Sequence, residues 1–294
     1  MAVILESLAT LTVLVFVVTS MLAMGLDLTV GQILDPLRDL GLVAKALLAN
    51  FVLVPLVAYL VLLVVPLTEA QSIGLVLLAT AAGAPFLPKL VDIAAGDVAF
   101  GVGLMVLLMV VTVAYVPIVL PILLPGVQVD PLEIASSLVV LMLVPLAVGL
   151  FVRARYAELA ASIQPTVNQI SGTALVFLVV LMLVLNVETL VSVVGSGVLV
   201  AFVLLIVASF AVGWLLGGPG TDTKSVLALG TAQRNVSAAL VVGAANFDDP
   251  DVIVMLVVGA TLMGLLIVVA GELGKRSGLG GEDTDAAARD VTGD

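Results

Sequence analysis

Two cations sit where an apolar chain can least easily keep them. Lys89 and Arg234 each lie several residues inside a long hydrophobic stretch, in GAPFLPKLVDIAAGD and GTAQRNVSAALVV. An ionisable side chain at membrane depth is costly and marks a substrate or ion path by default. Lysine offers a compact ammonium on a flexible stem, and one shielded from water gives up its proton more readily, so Lys89 can serve as a fixed charge or as a proton carrier. Arginine stays charged and presents a planar fork matched to a carboxylate. Asp92, three residues after Lys89, lies on the same helical face; pairing with it is the alternative in which Lys89 is purely structural. Around Arg234, the polar residues Thr231, Gln233 and Asn235 either bind substrate or satisfy backbone freed by an interrupted helix. Asp97 reads as a cap or boundary charge.

Other chemistry is thin. The chain has no cysteine and no histidine, which removes disulfides, thiolate metal sites, cysteine nucleophiles and the usual proton shuttle. No paired carboxylates or Ser/His constellation stands out, so neither an enzyme nor a metal site is expected. With 21 acidic against 10 basic residues, the net charge of −11 argues against nucleic acid as a partner.

The elements that carry the two cations follow from composition. Of 294 residues, 62% are apolar and 11% charged, with a mean hydropathy of +1.35, which no soluble domain displays. The reading is an all-α polytopic membrane protein whose partner is the lipid bilayer. Nine transmembrane helices are predicted at about 4–26, 42–66, 71–96, 97–125, 133–153, 166–187, 192–218, 222–247 and 250–272. Residues 1–276 are expected to form one membrane domain, and the Gly- and Asp-rich segment 277–294 a disordered acidic tail. The first stretch lacks a basic leader and a small-residue cleavage site, so it reads as a retained helix.

Apart from Lys89 and Arg234, every Lys and Arg falls in a loop or tail after an odd-numbered helix: Arg38, Lys45, Arg153, Arg155, Lys224, Lys275, Arg276 and Arg289. Loops after the even-numbered helices carry only acids. The positive-inside rule then puts the N-terminus outside and the C-terminus in the cytoplasm of a multi-pass cell-membrane protein.

Both cation-bearing segments should be discontinuous. In the third, Gly83, Pro85 and Pro88 separate two short apolar halves, and proline removes a backbone donor and clashes with the preceding turn. In the eighth, the run Thr231 to Ser237 is polar. Such breaks are tolerated only where they are buried in protein or line a watery cavity. Matching helices one to four with six to nine places each break on the third member of its set. That is an inverted repeat with binding near the midplane, as expected of a ten-helix ancestor that has lost its first helix.

At these residues the sequence resembles the bile acid:sodium symporter family over nearly its whole length, through SMLAMGLDLT, GAPFLPKLVDIAAGD and GTAQRNVSAALVV. The resemblance implies a panel domain, a core domain with two broken helices crossing at mid-membrane, and alternating access for an organic anion. The two broken segments put the candidate substrate or coupling site at Pro85, Pro88, Lys89, Asp92, Thr231, Gln233, Arg234 and Asn235. The departures are specific. Where sodium-using members carry a Ser-Asn pair, this chain has Pro88 and Lys89; the next helix has the apolar LMVLLM, Leu104 to Met109, in place of hydroxyls; Gly230 stands for a Glu and Arg234 for a Gln. Sodium needs several oxygen ligands and favours negative charge, so no sodium is expected there and no cofactor at all. Lys89 is expected to act as a tethered substitute, with Arg234 binding the substrate anion. Transport is then either proton-coupled through Lys89 or facilitative. The alternatives are a sodium-coupled symporter or, in another class, a channel or membrane sensor.

Overall fold

The computed structural model describes residues 2–124, 130–185 and 197–276, so the tail expected at 277–294 lies outside the described residues. Every described element is helical. In chain order they are α1 (Ala2–Asp27), the short α2 (Val30–Leu34), α3 (Leu40–Val64), α4 (Glu69–Thr80), α5 (Leu87–Ile93), α6 (Val98–Leu123), α7 (Pro131–Arg155), α8 (Ala157–Leu185), α9 (Val198–Leu216), α10 (Thr221–Ala232), α11 (Val236–Asn246) and α12 (Pro250–Arg276).

Six of these stretches are long and apolar enough to cross a bilayer: α3, α6, α7, α9, α12, and α10 taken together with α11. The protein is therefore an all-α polytopic membrane protein, and both segments that carry a mid-span cation are interrupted. The segment predicted at 71–96 splits into α4 and α5, and that predicted at 222–247 into α10 and α11.

Two features were not expected. The chain between α1 and α3 is itself structured. Thr29 and Gln32 form a capping box for α2, and a 3₁₀ turn follows at Asp35–Arg38. The helix predicted at 166–187 starts at Ala157, nine residues early. Pro165 sits inside it, and its polar run through Gln164, Thr166, Asn168 and Gln169 stays helical. Polarity alone does not end a helix whose backbone bonds are made internally.

Packing separates the helices into two groups. α1 lies mainly against α7 and α8, while α3 to α6 and α9 to α12 pack among themselves. The principal bridges between the groups are α1 and the start of α7 on α11, and the start of α7 on α6. In contrast, α5 has α6, α10 and the end of α12 as its main neighbours. Gly25 of α1 and Gly149 of α7 bring their backbones together, and a Cβ on Gly149 would meet the Gly25 Cα at 2.8 Å.

Candidate substrate and coupling site

The two breaks are built by different local devices and then clasp one another. α4 starts in a capping box between Thr68 and Gln71 and stops when Ala81 turns extended. Gly83 follows at φ +81°, a conformation open to glycine, and its missing Cβ leaves room for the backbone of Met105 and Met109 on α6. Thr112, also on α6, accepts from the Ala82 N–H (3.0 Å) and donates to the Ala82 carbonyl (3.1 Å), pairing both groups of an unwound residue. Pro88 then lies in the first turn of α5, where a proline's missing N–H costs nothing. It therefore starts a half-helix, and the half-buried Pro85 lies in the turn before it.

In the other break, Asn235 is the N-cap of α11, accepting from the Ala238 N–H at 3.0 Å. Its backbone N–H donates to the Ala81 carbonyl (2.8 Å) and its side-chain amide to the Gly83 carbonyl (2.9 Å). One asparagine thus caps its own half-helix and stitches it to the opposite break.

Arg234 occupies the centre of this crossing and is 1% exposed. Its Nε donates to the Leu78 carbonyl (3.0 Å) and Nη2 to the Ala79 carbonyl (2.7 Å), both in the last turn of α4. Its Nη1 donates to the Thr231 carbonyl (3.1 Å), at the end of α10, and to Asn50 Oδ1 (2.7 Å) on α3. Helix C-termini carry unpaired carbonyls and the negative end of the macrodipole, so a guanidinium set between two of them is held by both. Arg234 forms no ion pair among the described residues. With bonds to four acceptors made inside the protein, the fork expected to hold a substrate carboxylate is already engaged.

Lys89 takes the opposite position. Its side chain is 62% exposed and its Nζ lies 2.8 Å from Asp92 Oδ2, itself 57% exposed. The structure therefore brings Lys89 to Asp92 and away from the buried crossing, where it had been expected. The pair stands on the seven-residue α5, whose last residue, Ile93, packs against Gly274 beside Lys275 and Arg276 of α12.

Of the remaining candidates, Thr231 is fully buried and its hydroxyl accepts from Asn50 Nδ2 at 3.3 Å. Gln233 is nearly buried, and its Oε1 has no protein partner. Gly230 faces leucine: a Cβ there would meet Leu87 at 3.0 Å and Leu104 at 3.4 Å. Sequence reading missed Asn50, Thr112 and Tyr115, whose hydroxyl donates to the Phe51 carbonyl at 2.6 Å. The signal was available, since Asn50 and Thr112 are lone polar residues inside ALLANFVLV and MVVTVAYV.

No curated protein matches the chain. Residues 12–193, which carry the first broken span and Thr112 on the helix that holds it open, match the family described as Sodium Bile acid symporter family. That match spans well over half of the sequence and agrees with a helical, interrupted membrane fold; the chain belongs to the sodium bile acid symporter family.

Proposed function

We propose that the protein is a secondary transporter that carries an organic anion across the cell membrane by alternating access, without sodium. Its nine spans form an inverted repeat, N-terminus outside and C-terminus inside, with α1, α7 and α8 as panel and the other spans as core. The two packing groups support that division, and family membership supports the reaction class.

The observation that carries the sodium independence is the Arg234 guanidinium on the carbonyl ends of α4 and α10. In carriers with broken helices such carbonyl ends coordinate the coupling cation. Here a covalently attached cation takes them, and repulsion at short range disfavours a second positive charge. The tethered role thus passes from Lys89 to Arg234. Leu87 and Leu104 against Gly230 remove space and oxygen ligands beside it.

Uptake into proteoliposomes tests the reading. Carrier-dependent exchange of a monocarboxylate should be the same in sodium, potassium or choline salts. Strict sodium dependence refutes the fixed-cation reading. Ion currents identify a channel, and binding without exchange a sensor.

A further inference from the structure

We propose that the groove between the end of α9, the start of α10 and the end of α12 binds a phospholipid whose head group carries a primary ammonium, whatever the protein transports. Three of the membrane-length stretches have their ends together there. α9 ends at Leu216, residues 217–220 join it to α10, and the end of α12 packs on α10, so this end of the bundle is a membrane boundary. Between them lies a cavity of about 830 Å³, a size typical of ligand sites, roughly 300–1,000 Å³.

The lining changes character along the helices. Away from the helix ends the cavity is walled by Phe210, Leu273 and Trp214, whose ring stacks on that of Phe210 with centroids 6.1 Å apart. At the helix ends it is rimmed by Asp222, in the first turn of α10, and Arg276, the last residue of α12. An apolar wall that runs inward from a charged rim follows the order of a phospholipid, with chains toward the hydrocarbon and head group at the boundary, where tryptophan also prefers to sit. Ala94, just past α5, lines the cavity as well, so an occupant touches a half-helix from each of the two breaks.

The charges select the head group. Asp222 and Arg276 line one cavity without pairing. Among the described residues Asp222 makes no ion pair, and Arg276 donates only its Nε, to Glu272 at 3.3 Å, which leaves both terminal nitrogens of the fork free. A guanidinium and a carboxylate set apart in this way match the two ends of a zwitterion, the fork donating to the phosphate and the carboxylate accepting from the ammonium. A purely anionic head group gains less, because Lys275 and Arg276 are balanced by Glu272, at 3.7 and 3.3 Å, and by Asp222. A trimethylated ammonium has no N–H to give Asp222.

The chain has a single tryptophan, so fluorescence of Trp214 reports on the groove. The test places the full chain in phosphatidylcholine vesicles with a minor fraction of one lipid brominated in its chains: phosphatidylethanolamine, phosphatidylcholine or phosphatidylglycerol in turn. Bromine quenches an indole it touches. Brominated phosphatidylethanolamine should quench most, with an apparent preference over phosphatidylcholine of about two- to fivefold, the scale of one exposed ion pair. Asp222→Asn should abolish that preference, and Arg276→Gln, which releases the phosphate, should reduce it. Both side chains are exposed, so both variants should fold, which their melting midpoints verify. An excess of soluble glycerophosphoethanolamine should leave the quenching unchanged, because it has no chains for the apolar wall. Equal quenching by the three lipids, a preference for phosphatidylglycerol, or a phosphatidylethanolamine preference that survives Asp222→Asn overturns the lipid site. Relief of quenching by the soluble head group overturns it too and assigns the groove to a soluble zwitterion.

Discussion

Asn50 Oδ1 and Arg234 Nη1 lie 2.7 Å apart in the interior, although 184 positions separate the two residues along the chain. Asn50 sits in a widened π-type turn at Ala49–Leu53 of α3, and its amide nitrogen donates to the Ala46 carbonyl (3.0 Å) and to the Thr231 hydroxyl (3.3 Å). The asparagine therefore holds the guanidinium with its acceptor, the end of α10 with one donor and its own helix with the other. With no carboxylate partner among the described residues, the guanidinium is kept in the interior by neutral acceptors, and each of them matters more for that reason.

Removing the cation should be among the most damaging single changes in the chain. Arg234→Ala leaves the Leu78, Ala79 and Thr231 carbonyls and Asn50 without their donor. A loss on the order of 3–5 kcal/mol is expected, by the magnitudes for an uncompensated buried polar cluster. In detergent the melting midpoint should fall by about 10 °C, on the usual scale for a chain of this size. Arg234→Lys keeps the charge but lacks the fork, and should fall between the two. A midpoint for Arg234→Ala equal to that of wild type would refute the central place given to this residue.

Asn50 should be energetically coupled to Arg234. Asn50→Ala deletes a hydrogen bond to a charged group and should cost about 1.5–3 kcal/mol. Asn50→Asp sets a carboxylate against the guanidinium and should be milder. In a double-mutant cycle of Asn50→Ala with Arg234→Ala, a coupling of about 0.5–3 kcal/mol is expected for residues in direct contact. Additive losses would show that the contact carries no energy of its own.

The fixed-cation proposal predicts that a sodium site can be built at the crossing. Arg234→Gln removes the cation, Gly230→Glu adds a carboxylate, and Leu87→Ala clears the side chain that a Cβ at 230 would meet at 3.0 Å. The triple variant should melt higher in sodium chloride than in potassium chloride, because a ligand bound only by the folded state stabilises it by mass action. Wild type should melt alike in both salts. A sodium shift in wild type, or its absence in the triple variant, counts against Arg234 as the occupant of the cation position.

Much of this architecture was legible because membrane helices write themselves in long apolar runs and their interruptions in Gly, Pro and polar residues. Gly83 and Pro88, and the run Thr231 to Asn235, marked both breaks. Side-chain direction was not legible. Lys89 and Arg234 are alike in charge and in distance from a break, yet one is 62% exposed and the other buried. Their difference follows from which residue ends a half-helix and which starts one. Arg234 follows the last turn of α10 and folds back on its carbonyls, whereas Lys89 follows the Pro88 that opens α5 and points off an uncovered face. Asn50 and Thr112 escaped notice because each is a single polar residue in an apolar helix, and such residues more often bond their own helix, as Thr80 does to Val76.

The shape of the first break should depend on Gly83 and Thr112 by separable routes. At φ +81°, any side chain at position 83 is strained, and a Cβ would meet the Met105 carbonyl at 2.7 Å with the Met109 backbone closer still. The obstruction is α6 backbone rather than a flexible side chain, so Gly83→Ala should push α6 away from the crossing and lower both stability and exchange. Thr112→Val is nearly isosteric and makes no clash, but strands the Ala82 N–H and carbonyl, at about 1–3 kcal/mol for each buried group. Thr112→Ser restores a hydroxyl at the same place and should recover most of the midpoint, whereas no conservative change rescues position 83. If Thr112→Val and Thr112→Ser melt together, the hydroxyl does not hold the unwound turn and packing of α6 alone keeps the break open.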